Sequence, residues 1–137
     1  MGIMGSAIKG DLKFPIVATK DIAAVATERL LDLNFKGNTV EYILGQRDVS
    51  YNEMATIIGA AIGKPDLRYV QFPYEDAKNA MVQSGLVSEN VAGLYNGLAE
   101  GMNSGAALNA HHRTKENTTP TSIEEFAQWF AQAYKQA

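Results

Sequence analysis

The chain has 137 residues, which is enough for one domain and too few for two. Its net charge of -3 and its scattered lysines and arginines argue against a nucleic-acid partner, because phosphate binding needs clustered positive charge. The absence of cysteine excludes disulfides and cysteine-based metal sites, and no apolar run approaches the ~20 residues that span a membrane. Because no signal-peptide pattern follows Met1, we expect a cytoplasmic protein.

Three short strands are predicted in the first half of the chain, separated by two helices. Residues 16–18 form the first strand candidate, and the apolar spacing that follows predicts a helix capped by Asp21. Residues 39–44 alternate between the two faces of a second strand, and residues 67–72 form the third. This order of strands and helices predicts parallel pairing with right-handed crossovers.

The second of these helices has the clearest start and stop signals in the sequence. Ser50 and Glu53 form a capping box, in which each side chain satisfies an otherwise unpaired backbone N–H. Apolar residues then recur at helical spacing up to Gly63, which suits the left-handed position after a helix, and Pro65 prevents continuation.

Helices dominate the second half of the chain. We predict them over residues 74–83, over residues 88–104, and from a second capping box formed by Thr121 and Glu124. Residues 109–119 are polar and are predicted to form a surface loop. The predicted fold is therefore one α/β domain over residues 1–137, with three short, mainly parallel strands and about five helices.

None of the predicted strand-to-helix turns contains the glycine-rich motif that lets a backbone approach a pyrophosphate. The glycine cluster over residues 59–65 fails as a phosphate-binding loop because its spacing is one residue short and Pro65 replaces the metal-binding hydroxyl. It also ends a helix, where the helix dipole repels anions. We therefore predict no cofactor-binding residue in this chain.

Several short segments, taken in chain order, resemble the C-terminal part of NmrA-like proteins, which are atypical members of the short-chain dehydrogenase/reductase superfamily. The similarity covers nearly the whole chain, although each motif is short. The segments that carry it are Phe14–Ala23, Tyr42–Gly45 with Val49–Ala55, Ile62–Pro65 leading into Tyr69–Val70, and Thr119–Thr121 before Glu125–Ala127.

The resemblance implies a partial Rossmann-like portion on the substrate side of such a protein, from which the N-terminal dinucleotide-binding unit is absent. NAD(P) is the cofactor implied for a full-length relative, and none is expected in this truncated chain. Two hypotheses follow. The chain is the substrate-side part of a quinone- or flavin-reductase-like oxidoreductase and is inactive alone, or it is a non-catalytic binding or regulatory module.

Two motifs invite a catalytic or metal-binding interpretation. Tyr74 and Lys78 match the Y-x-x-x-K pattern of the superfamily's catalytic dyad, but they follow the last predicted strand, whereas the family's dyad precedes this portion. A surface pair at i, i+4 is the favoured interpretation. His111 and His112 are consecutive, so their side chains diverge, and no third ligand stands at a usual spacing. We predict no catalytic residue and no metal site.

Glycines recur every four residues along the predicted long helix, at Gly93, Gly97, Gly101 and Gly105. Each costs roughly 0.8–1 kcal/mol relative to alanine, so their presence suggests that something approaches the backbone closely. Three interpretations stay open: packing against a neighbouring helix or second subunit, a pocket wall, or a helix break near Gly101.

The pocket-wall interpretation, together with the family resemblance, supplies the candidates for substrate contact. They are Phe14, Tyr95, Gly97, Gly101 and Met102. Open sheet edges and the glycine stripe also predict a homo-oligomer, and a small-molecule ligand is the second expected partner.

Overall fold

Five helices and four short strands form a mixed α/β fold in the computed structural model, which describes residues 2–33, 36–106 and 112–136. The α/β class and the number of helices confirm the prediction from sequence. The helices are α1 Thr19–Asp32, α2 Tyr51–Ala61, α3 Tyr74–Gln83, α4 Glu89–Asn103 and α5 Ile123–Tyr134, and the strands are β1 Ile3–Ser6, β2 Phe14–Pro15, β3 Asp48–Val49 and β4 Arg68–Gln71.

The strands form two separate pairs rather than the predicted sheet of three mainly parallel strands. β1 and β4 are parallel, with Met4 opposite Tyr69 and Ser6 opposite Gln71. β2 and β3 are antiparallel, with Phe14 opposite Val49. The prediction of one continuous sheet was therefore wrong, and β1 was missed because four residues that include a glycine and a serine carry little periodic signal.

Two of the three predicted strands do not form. Residues 16–18 do not pair as a strand, because Ala18 is the N-cap of α1. The strand lies just before them, as β2. Residues 39–44 alternate in polarity, but only Leu44 pairs, in an isolated parallel bridge to Thr118. Alternation thus predicted a strand where the fold supplies no neighbouring strand along most of its length.

The third predicted strand and the helix before it are confirmed. The Ser50 hydroxyl accepts a hydrogen bond from the Glu53 backbone N–H at 3.2 Å, which is one half of the predicted capping box, whereas the Glu53 carboxylate pairs with Arg47. Helix α2 ends at Ala61, Gly63 has a φ of +74°, and β4 follows within residues 67–72. Local start and stop signals were sufficient here because each acts between residues close in sequence.

The two other predicted caps were wrong. The side chain of Asp21 does not cap α1, and the N-cap of α5 is Ser122, whose hydroxyl accepts from the Glu125 N–H at 3.1 Å. Asp21 and Thr121 bond to each other instead. The Asp21 carboxylate accepts from the Thr121 backbone N–H at 3.1 Å and from its hydroxyl at 2.8 Å.

Helices α3 and α4 pack against each other and have close to the predicted bounds. Ser88 caps α4 through the Val91 N–H, and Gly105 lies beyond the helix end with a φ of +81°. Because α4 continues through Gly101 to Asn103, the structure excludes one of the three interpretations of the glycines, a helix break near Gly101. Residues 112–119 of the predicted loop form no helix, whereas 107–111 lie outside the described residues.

Small side chains make up much of the described core. Of the six buried apolar residues described between positions 55 and 131, five are alanines. No large side chain of the described residues is fully buried. The accessible surface is 9359 Å² for 14.8 kDa. That area is about a third more than the roughly 7,000 Å² of a typical monomer of this mass. Several large apolar side chains are exposed, including Leu31 at 77% and Leu86 at 88%. None of the helices in the described ranges is long and apolar enough to cross a bilayer.

The Asp21–Thr121 contact predicts a specific stability loss. Asp21→Asn removes the charge and turns an N–H donor toward Thr121, so we expect urea unfolding followed by circular dichroism to give a free energy about 1–3 kcal/mol lower. Asp32→Asn, at the exposed end of the same helix, is the matched control and should change it by less than about 0.5 kcal/mol. Equal effects of the two substitutions would show that the buried contact stabilises the fold no more than an exposed carboxylate does.

Candidate functional site

A pocket of about 270 Å³ opens where the N-terminal ends of α1 and α5 meet the segment before α2. Four separate stretches of the chain contribute to its walls. The lining residues are Ile16, Val17, Ala18, Thr19, Gln46, Arg47, Val49, Met54, Thr121, Ser122, Ile123 and Phe126. We refer to this space as the α1/α5 pocket.

The walls of the α1/α5 pocket are largely aliphatic. Val49 is buried beneath it, whereas Val17, Met54 and Ile123 are half-buried, and the ring of Phe126 is partly exposed at its edge. Hydroxyl and amide groups are confined to a few positions among the lining residues. Apolar walls with few polar groups are typical of small-molecule sites.

Buried hydrogen bonds hold the two helix ends beside the pocket. Asp21, in the first turn of α1, is 6% exposed and accepts both bonds from Thr121, which precedes α5. Two residues earlier, the Thr119 hydroxyl donates to the Leu44 carbonyl at 3.0 Å, and the Thr119 N–H donates to the same oxygen at 2.8 Å. The segment before α5 is thus fixed to both α1 and the chain leading into α2.

The pocket wall at Ile16 depends on a glycine opposite it. A Cβ added to Gly45 would overlap the Ile16 carbonyl oxygen. Only a residue without a side chain allows this approach of the two backbones. The Gly45 carbonyl also accepts a hydrogen bond from the Arg113 guanidinium. Gly45 therefore sets the position of one side of the pocket.

The one ionisable group among the described lining residues, Arg47, is fully engaged by carboxylates. Its two terminal nitrogens donate to Glu53 and to Glu124, each at 2.5 Å, which links α2 to α5. Nearby, Arg113 donates to Asp48. Three carboxylates thus oppose two guanidinium groups, so the charge around the pocket is nearly balanced with a small negative excess.

These pairings shift proton affinities in the expected directions. Glu124 lies in the first turn of α5, where its own backbone N–H and then Arg47 lower the pKa of its carboxyl group. The two carboxylates, Glu124 before Glu53, raise the pKa of Arg47 above its ordinary value. Both shifts favour the charged forms of Arg47 and Glu124, so this ion pair persists around neutral pH.

The polar groups that line the α1/α5 pocket are hydroxyls, an amide and one guanidinium. None of the described lining residues is a histidine, lysine, aspartate or glutamate. The Thr121 hydroxyl donates to the Asp21 carboxylate at 2.8 Å, and the Ser122 side chain hydrogen-bonds the Glu124 carboxylate, so two of the lining hydroxyls are already engaged within the fold.

The predicted substrate-contact residues do not line this pocket. Phe14 packs edge-on against the ring of Tyr51, with centroids 5.3 Å apart, whereas the other four lie on α4, which packs on α3. On α4, Tyr95 is more than half exposed and Gly97 has open space beside it, whereas Gly101 and Met102 are partly buried. Phe14, in β2, therefore packs against α2, whereas the other four residues belong to the separate α3–α4 hairpin.

The residues that do line the pocket were missed because their signal is not local. In the sequence, Arg47 stands between a turn and a helix cap, and Thr121 has the pattern of a capping residue. Neither position therefore predicts a pocket wall. The sequence offers one cue, which is that Asp21 and Thr121 are polar residues at helix starts. The structure buries both of them. Such a pairing across 100 positions has no periodicity to reveal it.

The Tyr74/Lys78 pair and the histidines do not form a reactive centre in the described parts of the chain. The Tyr74 hydroxyl accepts from the Asn103 amide at 2.7 Å, and Lys78 donates to Glu89 at 3.0 Å, so both side chains tie α3 to α4. His112 is exposed, and His111 lies outside the described residues. No group of three or more potential metal ligands occurs among the residues that the structure describes.

The turns of the described residues do not fit the pyrophosphate of NAD(P). The space at Gly45 is taken by the Ile16 carbonyl, and Gly63 follows the end of α2, where the helix dipole is negative. A comparison with models of known protein families and with curated protein sequences finds no match to this chain.

Because the pKa of Glu124 is lowered in the folded state, Glu124→Gln should destabilise the protein in a pH-dependent way. The stabilisation is present above the unfolded pKa of about 4.3 and is lost as pH falls through the lower folded value. We expect a deficit of less than about 1 kcal/mol at about pH 7 that shrinks toward zero near pH 3, measured by urea unfolding.

Glu100→Gln, on the exposed surface of α4, serves as the control for the loss of one carboxylate. It should leave the unfolding free energy near that of the parent chain across the same pH range. A deficit for Glu124→Gln that grew as the pH fell would contradict the assigned direction.

Proposed function

We propose that this chain is a binding module whose α1/α5 pocket holds a small, uncharged, largely apolar molecule. The observation that carries the proposal is the lining itself: aliphatic and aromatic walls, a few hydroxyl and amide groups, and a single arginine already neutralised by two carboxylates. The volume of about 270 Å³ suits a compound of one or two rings.

An uncharged ligand is favoured over an ion because of the charges around the pocket. An anion would have to compete with Glu53 and Glu124 for Arg47, and it would approach a cluster with a net negative excess. A cation would find no unpaired carboxylate, since Glu53, Glu124 and Asp48 are all bonded to guanidinium groups. Desolvating either kind of ion without a free partner is costly.

We further propose that the parent context is an NmrA-like oxidoreductase of the quinone- or flavin-reductase-like kind, with this chain on the substrate side. Two-electron chemistry there would need NAD(P) held by residues other than those described here, because these turns do not suit it. In this proposal the chain's own residues bind and orient the substrate and exclude water. The lack of an acid or base among the described lining residues equally favours the alternative, a non-catalytic regulatory module.

The binding proposal is tested by titration with menadione, a neutral two-ring quinone that suits a chain without reactive thiols. Isothermal calorimetry should detect saturable binding of one equivalent, and the charged 2-naphthoate should bind at least tenfold more weakly. Val17→Phe fills the pocket and should abolish menadione binding. Val40→Phe, at a site 78% exposed and away from the pocket, is the matched control and should not change it.

Equal affinity of the parent chain and Val17→Phe would contradict the assignment of the pocket. A parallel titration with NADPH tests the proposed oxidoreductase context separately from the proposed binding pocket. Saturable NADPH binding by this chain would overturn the claim that the nucleotide is held elsewhere, whereas it would leave a menadione result at the α1/α5 pocket unaffected.

A further inference from the structure

The polar side chains that line the α1/α5 pocket differ in how much of their hydrogen-bonding capacity the fold uses. The Thr121 hydroxyl donates to the Asp21 carboxylate at 2.8 Å, and the Ser122 hydroxyl accepts from the Glu125 N–H at 3.1 Å. The two terminal nitrogens of Arg47 donate to carboxylates. Three of the lining polar side chains therefore hold together the elements around the pocket.

Thr19 and Gln46 are the described lining residues whose polar side-chain atoms are least engaged. The Thr19 hydroxyl forms no hydrogen bond with a described residue. The Gln46 amide nitrogen is 3.5 Å from the Pro120 carbonyl oxygen, at the outer limit of a hydrogen bond, and the Gln46 amide oxygen has no partner in the described chain. A hydroxyl and an amide group thus keep the capacity to bond a polar atom of a ligand.

Gly45 brings these two residues to the same part of the pocket. Its backbone lies so close to the Ile16 carbonyl that a Cβ would overlap it, so two distant stretches of the chain are in direct contact. Gln46 follows Gly45, and Thr19 lies three residues beyond Ile16. Both side chains are exposed, whereas Val49 is buried. The polar end of the pocket is therefore on its solvent side, and its inner wall is aliphatic.

The position of Thr19 favours a ligand atom that accepts hydrogen bonds. Thr19 is the first residue of α1, at the positive end of the helix dipole, and the N-cap residue Ala18 has no side-chain oxygen for the first-turn N–H groups. A partial negative charge is stabilised at this place. A full negative charge would also meet the carboxylates of Glu53 and Glu124 around Arg47. An uncharged acceptor suits both conditions.

We propose that the Thr19 hydroxyl and the Gln46 amide donate hydrogen bonds to a carbonyl oxygen of the ligand and so determine its orientation. The ligand class is then a neutral ring compound with a carbonyl group, rather than a hydrocarbon of the same shape. This inference rests on the proposed binding pocket but not on the proposed oxidoreductase context. Thr19 and Gln46 are binding residues, and neither takes part in a chemical step.

The size of the effect follows from the exposure of the two side chains. Because both bond to water in the free protein, a hydrogen bond to the ligand replaces one to solvent. Losing one such bond changes an affinity by about two- to twelvefold.

Calorimetric titration with two ligands of one carbon skeleton tests the proposal: menadione has two carbonyl groups, and 2-methylnaphthalene has none. Thr19→Val keeps the shape of the side chain and removes its hydroxyl, so it should raise the Kd for menadione about fivefold. The Kd for 2-methylnaphthalene should fall or stay within about a factor of two of the parent value. Gln46→Met, which keeps the length and removes the amide, should act in the same direction.

Thr56→Val is the matched control, because the Thr56 hydroxyl donates to the Asn52 carbonyl and Thr56 does not line the pocket. It should change neither Kd. An unchanged Kd for menadione in Thr19→Val would overturn the proposal, as would equal losses for the two ligands, which would assign Thr19 to the shape of the wall. If the parent chain bound no menadione, the pocket itself would be overturned and this inference with it.

The carbonyl stretching band of bound menadione reports the contact directly. With isotope-labelled carbonyl groups, infrared difference spectra should show a band at lower frequency than in an apolar solvent, because a hydrogen bond weakens the C=O bond. At saturating ligand, Thr19→Val should reverse part of this shift and Thr56→Val should not. A carbonyl band of the parent complex at the apolar-solvent frequency would overturn the proposal.

Discussion

The buried contact between Asp21 and Thr121 is the constraint on which the rest of the arrangement depends. It joins residues 100 positions apart, and both donors of Thr121 reach one carboxylate that is nearly removed from solvent. A buried carboxylate is tolerated only when hydrogen bonds satisfy it. Because the pair fixes the start of α1 against the start of α5, it also fixes the space between them. The α1/α5 pocket is that space.

The charges around this pocket are paired within the fold. Arg47 joins α2 to α5 through Glu53 and Glu124, and both of its terminal nitrogens are engaged in doing so. The same ion pairs that connect the helices thus leave, among the described residues, no unpaired carboxylate beside Arg47 for a ligand to contact.

The sequence predicted the elements whose determinants are local and missed those that depend on distant partners. Helix α2 follows directly from Ser50, Glu53 and Gly63, and the four other helices are near their predicted positions. Thr121 had the same pattern as a capping residue, but its partner is Asp21, and the cap of α5 falls to Ser122. Strand pairing failed for the same reason, because alternation over residues 39–44 specifies a face but not a neighbouring strand. The pocket, built from four distant stretches, had no signal of its own.

Intermolecular nuclear Overhauser effects would show whether the α1/α5 pocket holds a neutral apolar molecule. With menadione bound to isotope-labelled protein, we expect contacts from the ligand ring protons to the methyl groups of Val17, Met54 and Ile123. These three residues come from different segments of the chain and all line the pocket. Contacts confined to helix α4, or to the ring of Phe14 and its neighbours, would place the ligand elsewhere and rule the pocket out.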